Sequence, residues 1–315
     1  MGFFASLINS MPSAVAQGLI WGIMAIGVYL TYRILDVADL TVDGSLGTGG
    51  AVCVVMVLNG VPVGLALLAA TAAGMLAGLV TGLFHTACGI PAILAGILTQ
   101  LALYSVNLRI MGFGTGGGKA NLPISVDKYS LLVSARYVRN VALNNPILIL
   151  TIFCAVLIAV LYWFFGTELG CSLRATGANQ NMARAQGINT NVAKVLGLMI
   201  SNGLVALAGG LLAQYQGFSD INMGRGAIVI GLAAVIIGEV IFSRIFRNFA
   251  LKLLSAVIGA IIYYIVMVFV LRLGLSTDDL KLLTALVVAL FLTIPYWKGK
   301  YFTKTSVKKG EKNHA

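Results

Sequence analysis

Charged residues are scarce in this chain. They make up 10% of its 315 residues, where a soluble domain carries roughly a quarter. That deficit excludes an ordinary water-soluble globule, whose surface has to be polar. Acidic side chains are the rarer kind, 10 against 21 basic ones, for a formal net charge of +11. Histidine occurs only as His85 and His314, and no carboxylates pair on facing helices, so neither a metal centre nor an intramembrane enzyme is expected. The four cysteines, Cys53, Cys88, Cys154 and Cys171, are scattered, with no metal-ligand spacing and no readable disulfide framework. The basic surplus forms no stripe interleaved with aromatics, which argues against nucleic acid as a partner. No basic n-region precedes the first apolar run, so that run is expected to be an uncleaved anchor rather than a signal peptide.

Apolar residues are what the chain has in abundance: 59% are hydrophobic, the mean hydropathy is +0.96, and 37 residues are glycine. Crossing a bilayer as a helix takes about 20 apolar residues. Nine stretches approach that length, at about 13–35, 39–59, 62–84, 90–111, 145–166, 192–214, 226–243, 250–272 and 280–297. Lipid offers no hydrogen bonds, so each must satisfy its backbone internally as a helix. The expected fold is therefore an all-α polytopic membrane protein of about nine (8–10) helices: one transmembrane domain over residues 1–297 and a basic tail at 298–315. Trp163 beside Tyr162, and Trp297 beside Tyr296, stand at span ends as interfacial anchors do; Trp21 stands mid-span. Gly74, Gly78 and Gly82 recur every fourth residue and mark a close helix crossing.

Basic residues orient the chain. The tail holds Lys298, Lys300, Lys304, Lys308, Lys309 and Lys312, which places it in the cytoplasm of a bacterial cell. Counting crossings backward puts Arg244, Arg247 and Lys252 on that side, together with Arg174, Arg184 and Lys194. The same count leaves the loop 112–144 outside although it carries Lys119, Lys128, Arg136 and Arg139. Either that loop is a structured external cap or the first half contains a different number of crossings. Its GFGTGGGKA run at 112–120 is no phosphate loop. Phe113 stands where the first glycine is required, Ala120 follows Lys119 in place of Ser or Thr, and no strand precedes it.

Three segments carry candidate function. In RILDVADLTVDGSLGTGGAV (33–52), Asp36, Asp39 and Asp43 open a would-be span, followed by Gly44, Gly47, Gly49 and Gly50. Ionisable groups within spans usually face a cavity, and glycines that break a helix would expose backbone groups able to hold a polar solute. Asp39, Asp43, Gly44, Ser45, Gly47 and Thr48 are thus candidates for lining a path, while Asp36 fits a cap or a partner of Arg33. A second such element, QYQGFSDINMGRGAIVIG (214–231), follows a helix of opposite direction, as in an inverted repeat, with Asp220 and Arg225 suited to an external turn. In the third, TELGCSLRATGANQNMARAQGINTN (167–191), Asn179 is a good N-cap, residues 180–186 suit two helical turns, and Gly187 suits a left-handed stop. Glu239, near the end of its span, fits an ion pair with Arg244 or Arg247.

Together these segments carry a family resemblance. GLIWGIMAIGVYLTYRILDVADLTVDGSLGTGGAV (18–52) resembles the opening of ABC importer permeases of the branched-chain amino acid and ribose class. LRATGANQNMARAQGIN (173–189) is similar to their cytoplasmic coupling helix, and LAGGLLAQYQGFSDINMGRGAIVIGLAAVIIGEVI (207–241) to their late Gly-rich segment. The likeness is nearest to the branch grouped with tryptophan and tyrosine transport. Asp43 stands where the amino acid permeases tend to have His, so the substrate is not carried over. The resemblance implies a type II-like importer fold and a second copy of the permease. It implies a cytoplasmic ABC ATPase dimer that binds the ATP, and an external or periplasmic substrate-binding lipoprotein. It assigns Arg174, Thr176, Gly177, Asn179, Ala183, Arg184 and Gly187 to contact with the ATPase. The alternative on the residues alone is a self-contained secondary transporter or channel, driven by a gradient through Asp43 or Glu239.

Overall fold

The computed structural model describes residues 3–272, apart from 115, 126–127, 130, 139–144, 243–244 and 247, together with scattered positions between 282 and 293. Arg139, Arg244, Arg247, Tyr296, Trp297 and the tail 298–315 lie outside the described residues, as does much of the expected span 280–297.

Each apolar run that is described becomes a helix: α1 (Phe3–Tyr29), α2 (Val42–Leu58), α3 (Val63–Thr86), α4 (Ala92–Met111), α5 (Pro146–Gly166), α8 (Thr190–Gln216), α9 (Ala227–Phe242) and α10 (Phe249–Arg272). Between α5 and α8 lie two short helices, α6 (Glu168–Ala178) and α7 (Gln180–Ala185). Among the described residues, six helices are long and apolar enough to cross a membrane, while α2 and α9 are shorter. Helix ends follow local chemistry. Asn145 accepts the Ile147 N–H at 2.9 Å with Pro146 opening α5, and α8 closes on Gly217 in the left-handed conformation.

Apolar side chains gain nothing by leaving lipid for one another, so close packing has to hold these helices together. α8 is the central pillar. A Cβ on Gly74 or Gly78 of α3 would strike the α8 backbone at Asn202 or Leu198, and one on Gly49 of α2 would strike Ala206. From the other side, Gly209 of α8 lies against Leu46 of α2. The four-residue glycine spacing in α3 is therefore a helix crossing.

Gly44, Gly47, Gly49 and Gly50 do not break the second span, contrary to their expected effect: α2 is continuous through all four. They let neighbours come close instead. The break lies ahead of them. α1 ends in a π-helical turn (Leu30–Ile34), Asp36 takes a φ of 53°, and residues 35–41 run irregularly back into the bundle before α2 begins.

The two ends of the bundle differ. Over one end lies the described part of 112–144, whose strand β1 (Asn121–Pro123) pairs antiparallel with β2 (Phe218–Asp220), the segment that leaves α8. Tyr129 donates to the carbonyl of Leu58 at 3.4 Å, and the Leu132 N–H donates to Gln214 at 3.1 Å, so the loop also touches the ends of α2 and α8. This is the cap face. On the opposite face sit the π turn, α6, α7, the His85 end of α3 and the start of α8.

Candidate functional site

Two helices start inside the bundle rather than at its surface. The first turn of α2 lies beside Asn202, near the midpoint of the 27-residue α8. The first turn of α9 is bonded to that same turn of α2: Asp43 accepts the N–H groups of Gly226 and Ile228, each at 2.9 Å. Residues 217–226 thus descend from the cap face along α2, with Met223 and Ser219 against Gly50 and Gly224 against the Asp43 backbone. The Asp43 carboxylate satisfies orphan donors of α9 and complements its positive end. Two helix N-termini meet at mid-depth, joined through one side chain.

A buried polar network surrounds this junction. Asp39, 2% exposed, accepts the Thr41 N–H at 2.9 Å and the Asn202 amide at 2.6 Å. Asn202 accepts the Ser45 hydroxyl at 2.6 Å. Thr41 bonds Thr81 at 2.7 Å, and Thr81 donates to Thr99 at 2.9 Å, tying the start of α2 to α3 and α4. The Asn107 amide reaches the Gly44 carbonyl at 3.4 Å, while its buried Oδ1 finds no partner among the described residues. Of the candidates for a path, Asp39, Ser45 and Thr48 are buried and Asp43 is half-buried; Thr48 bonds the Gly44 carbonyl of its own helix. Asn202, Asn107, Thr81 and Thr99 were missed. Their signal was an amide or hydroxyl in the middle of an apolar run, where each needs a partner.

On the opposite face the segment 168–189 folds locally. Asn179 caps α7 by accepting the Met182 N–H at 3.1 Å, and Gly187 has a φ of 81°. Thr176 and Ala183 are buried, and a Cβ on Gly177 would collide with the Ile34 carbonyl, so the loop is seated on the π turn. Arg184 donates to Thr190 at 2.9 Å, Arg174 reaches the sulfur of Cys171 at 3.2 Å, and Met182 is 63% exposed. Beside the loop opens a crevice of about 1050 Å³, lined in part by Trp163, Arg174, Phe249 and Lys252. The ion pair at its edge joins Glu239 to Arg33 at 2.9 Å. Of the two roles open to Asp36, the pair with Arg33 does not form, and Asp36 is exposed. The π turn carries Arg33 to the end of α9, where it takes Glu239, whose expected partners Arg244 and Arg247 lie outside the described residues.

Residues 10–294 match the family described as the branched-chain amino acid transport system permease component. The chain belongs to that family. It is a multi-pass membrane protein and a permease component of an ABC-type transport system. It is 41% identical over 284 residues to the tyrosine transport system permease protein of Clostridioides difficile, covering 90% of each chain. An uncharacterised protein of Rickettsia prowazekii is 37% identical over 90% of this chain and 97% of its own. The autoinducer 2 import system permease protein of Salmonella typhi is 27% identical over 74% of this chain and 63% of its own. Among solved structures, PsaBC from Streptococcus pneumoniae in complex with Fab aligns with a TM-score of 0.53 at 16% identity, over 95% of this chain and 98% of that one. That likeness concerns the fold alone.

Proposed function

We propose that this permease imports an amino acid, an aromatic one such as tyrosine, as a pair of copies driven by a separate ATPase dimer and fed by an external substrate-binding lipoprotein. The observation that carries the reading is the seated loop 168–189. It is clamped to the bundle through Gly177 and Ala183, yet presents Met182, Arg174 and Arg184 outward. A rigid knob with Met182 exposed on α7 and flanking cations is suited to a groove on a partner. That face is cytoplasmic in this reading, and the cap face receives the binding protein. ATP-driven closure of the ATPase would push α6 and α7, and through Gly177 the π turn, toward the junction of α2 and α9. The path would run beside Asp43, Gly44, Gly47 and Thr48, with Asp39 and Ser45 in the network behind it. The 41% identical tyrosine permease supports the choice of substrate class.

The test is ATP-dependent uptake of labelled amino acids into liposomes holding the permease, its ATPase and its binding protein. Deleting 178–187, or changing Arg174 and Arg184 together to Glu, should abolish uptake while leaving the membrane fold intact. Full uptake by such variants would defeat the reading. Uptake by the purified chain alone, without an ATPase, would replace it with a gradient-driven transporter.

A further inference from the structure

The turn that precedes α9 carries a cation out of place for a lipid-facing surface. Arg225 adjoins Gly226, whose N–H is bonded to Asp43, so its backbone lies at the level of the α2 and α9 N-termini. The side chain is exposed, and its guanidinium lies 6.0 Å from the ring centroid of Tyr104. Tyr104 is itself 42% exposed and lies seven residues before the end of α4, about 10 Å inside it at the helical rise per residue. No carboxylate among the described residues forms an ion pair with Arg225. The exposed residues of the same segments are mixed: Leu101 and Val106 on α4 and Val229 on α9 are apolar, while Ser105 and Arg109 on α4 and Asn222 in the turn are polar.

An exposed guanidinium within the hydrocarbon region is costly against lipid and is usually found facing a water-filled cavity or a protein partner. The face shared by α4 and the 221–226 turn is therefore not a lipid face. Its chemistry is specific. A guanidinium is a planar fork that matches a carboxylate with two parallel hydrogen bonds, and a tyrosine ring beside it offers a stacking surface for another aromatic ring.

We propose that Arg225 recognises the substrate by its carboxylate and that Tyr104 receives the substrate's ring. The wall opposite is the second copy of the permease. This rests on the importer reading above and deepens it: the substrate must carry a free carboxylate beside an aromatic side chain. Arg225 is then a specificity-determining residue, and Asp43 positions it indirectly by fixing the turn on α9.

The test has two arms. In the assembled transporter, uptake is measured for aromatic and branched-chain amino acids, with tyrosine and tyramine (tyrosine without its carboxylate) as competitors. Arg225→Gln should lower tyrosine uptake at least tenfold and abolish the preference for tyrosine over tyramine, while the variant complex assembles and melts as the wild type does. Arg225→Lys should retain part of both. Equal uptake and equal discrimination in Arg225→Gln would overturn the assignment. In the second arm, Arg225→Cys is placed in a background with Cys53, Cys88, Cys154 and Cys171 replaced by serine. A charged, membrane-impermeant thiol reagent should label it, and tyrosine should slow the labelling. Labelling by a lipid-soluble reagent alone would overturn the proposal independently of transport. A wild-type complex that moves no amino acid would bring down the importer reading and the recognition role with it. A competent wild type matched by Arg225→Gln brings down the role of Arg225 alone.

Discussion

Asn202 serves Asp39 and Ser45 at once: its amide nitrogen donates to the carboxylate and its oxygen accepts the hydroxyl, both at 2.6 Å. One side chain of α8 thus holds the irregular segment 35–41 and the first turn of α2 in a fixed relation. Replacing Asn202 with Leu removes both bonds and leaves Asp39 and Ser45 buried without that partner. An unsatisfied buried group costs about 1–3 kcal/mol. Asn202→Leu should therefore lose about 3 kcal/mol and unfold at a clearly lower temperature in detergent. Asn202→Asp, which keeps the shape but sets a second carboxylate against Asp39, should also destabilise.

Asp43 gives a sharper contrast. Asp43→Ala removes the acceptor from the first amides of α9, a loss of about 1 kcal/mol for a typical helix cap. Hydrogen exchange at Gly226 and Ile228 should speed up while exchange within α8 stays unchanged. Uniform acceleration across the bundle would show that Asp43 supports the whole fold rather than this one joint.

The glycines separate crowding from conformation. A side chain at Gly209 or Gly78 would be driven into the backbone of a neighbouring helix, whereas nothing lies within 4 Å of a Cβ built on Gly64. Gly209→Val and Gly78→Val should cost at least the 1–3 kcal/mol or so of an overpacked core and reduce the yield of folded protein. Gly64→Ala, near the start of α3, should be neutral or mildly stabilising in the same thermal assay.

Glu239 discriminates the energy source. Its pair with Arg33 is largely exposed, 58% for the arginine and 29% for the glutamate, so it contributes less than about 1 kcal/mol and is weakened by salt. Glu239→Gln should leave ATP-driven uptake within about twofold of wild type. Abolished uptake, with folding intact, would point instead to proton coupling.

Span positions were easy to read because each rests on a long apolar run: the stretch 90–111 became Ala92–Met111, and 145–166 became Pro146–Gly166. The cap of α7 was equally plain, since Asn179 and Gly187 act within their own segment. Breaks were harder. Gly44, Gly47, Gly49 and Gly50 look the same in sequence whether they end a helix or admit a neighbour, and the choice belongs to partners distant in the chain: α4 at Gly44 and Gly47, α8 at Gly49, and the 217–226 segment at Gly50. Asn202 and Asp39 are likewise joined only by the fold. The irregular segment 35–41 has no glycine or proline to announce it, because buried hydrogen bonds from Asn202 and Thr81 stabilise it.

The short pairing of β1 with β2 acquires a mechanical meaning from where β2 leads. Leu122 faces Ser219 in that pair, and the chain runs on from Ser219 through Arg225 to the amides held by Asp43. The surface loop and the start of α9 are thus links of one tether about ten residues long. The Asn121–Pro123 strand therefore has a route to the centre of the bundle, through one strand pair and one connecting segment, that passes along no helix.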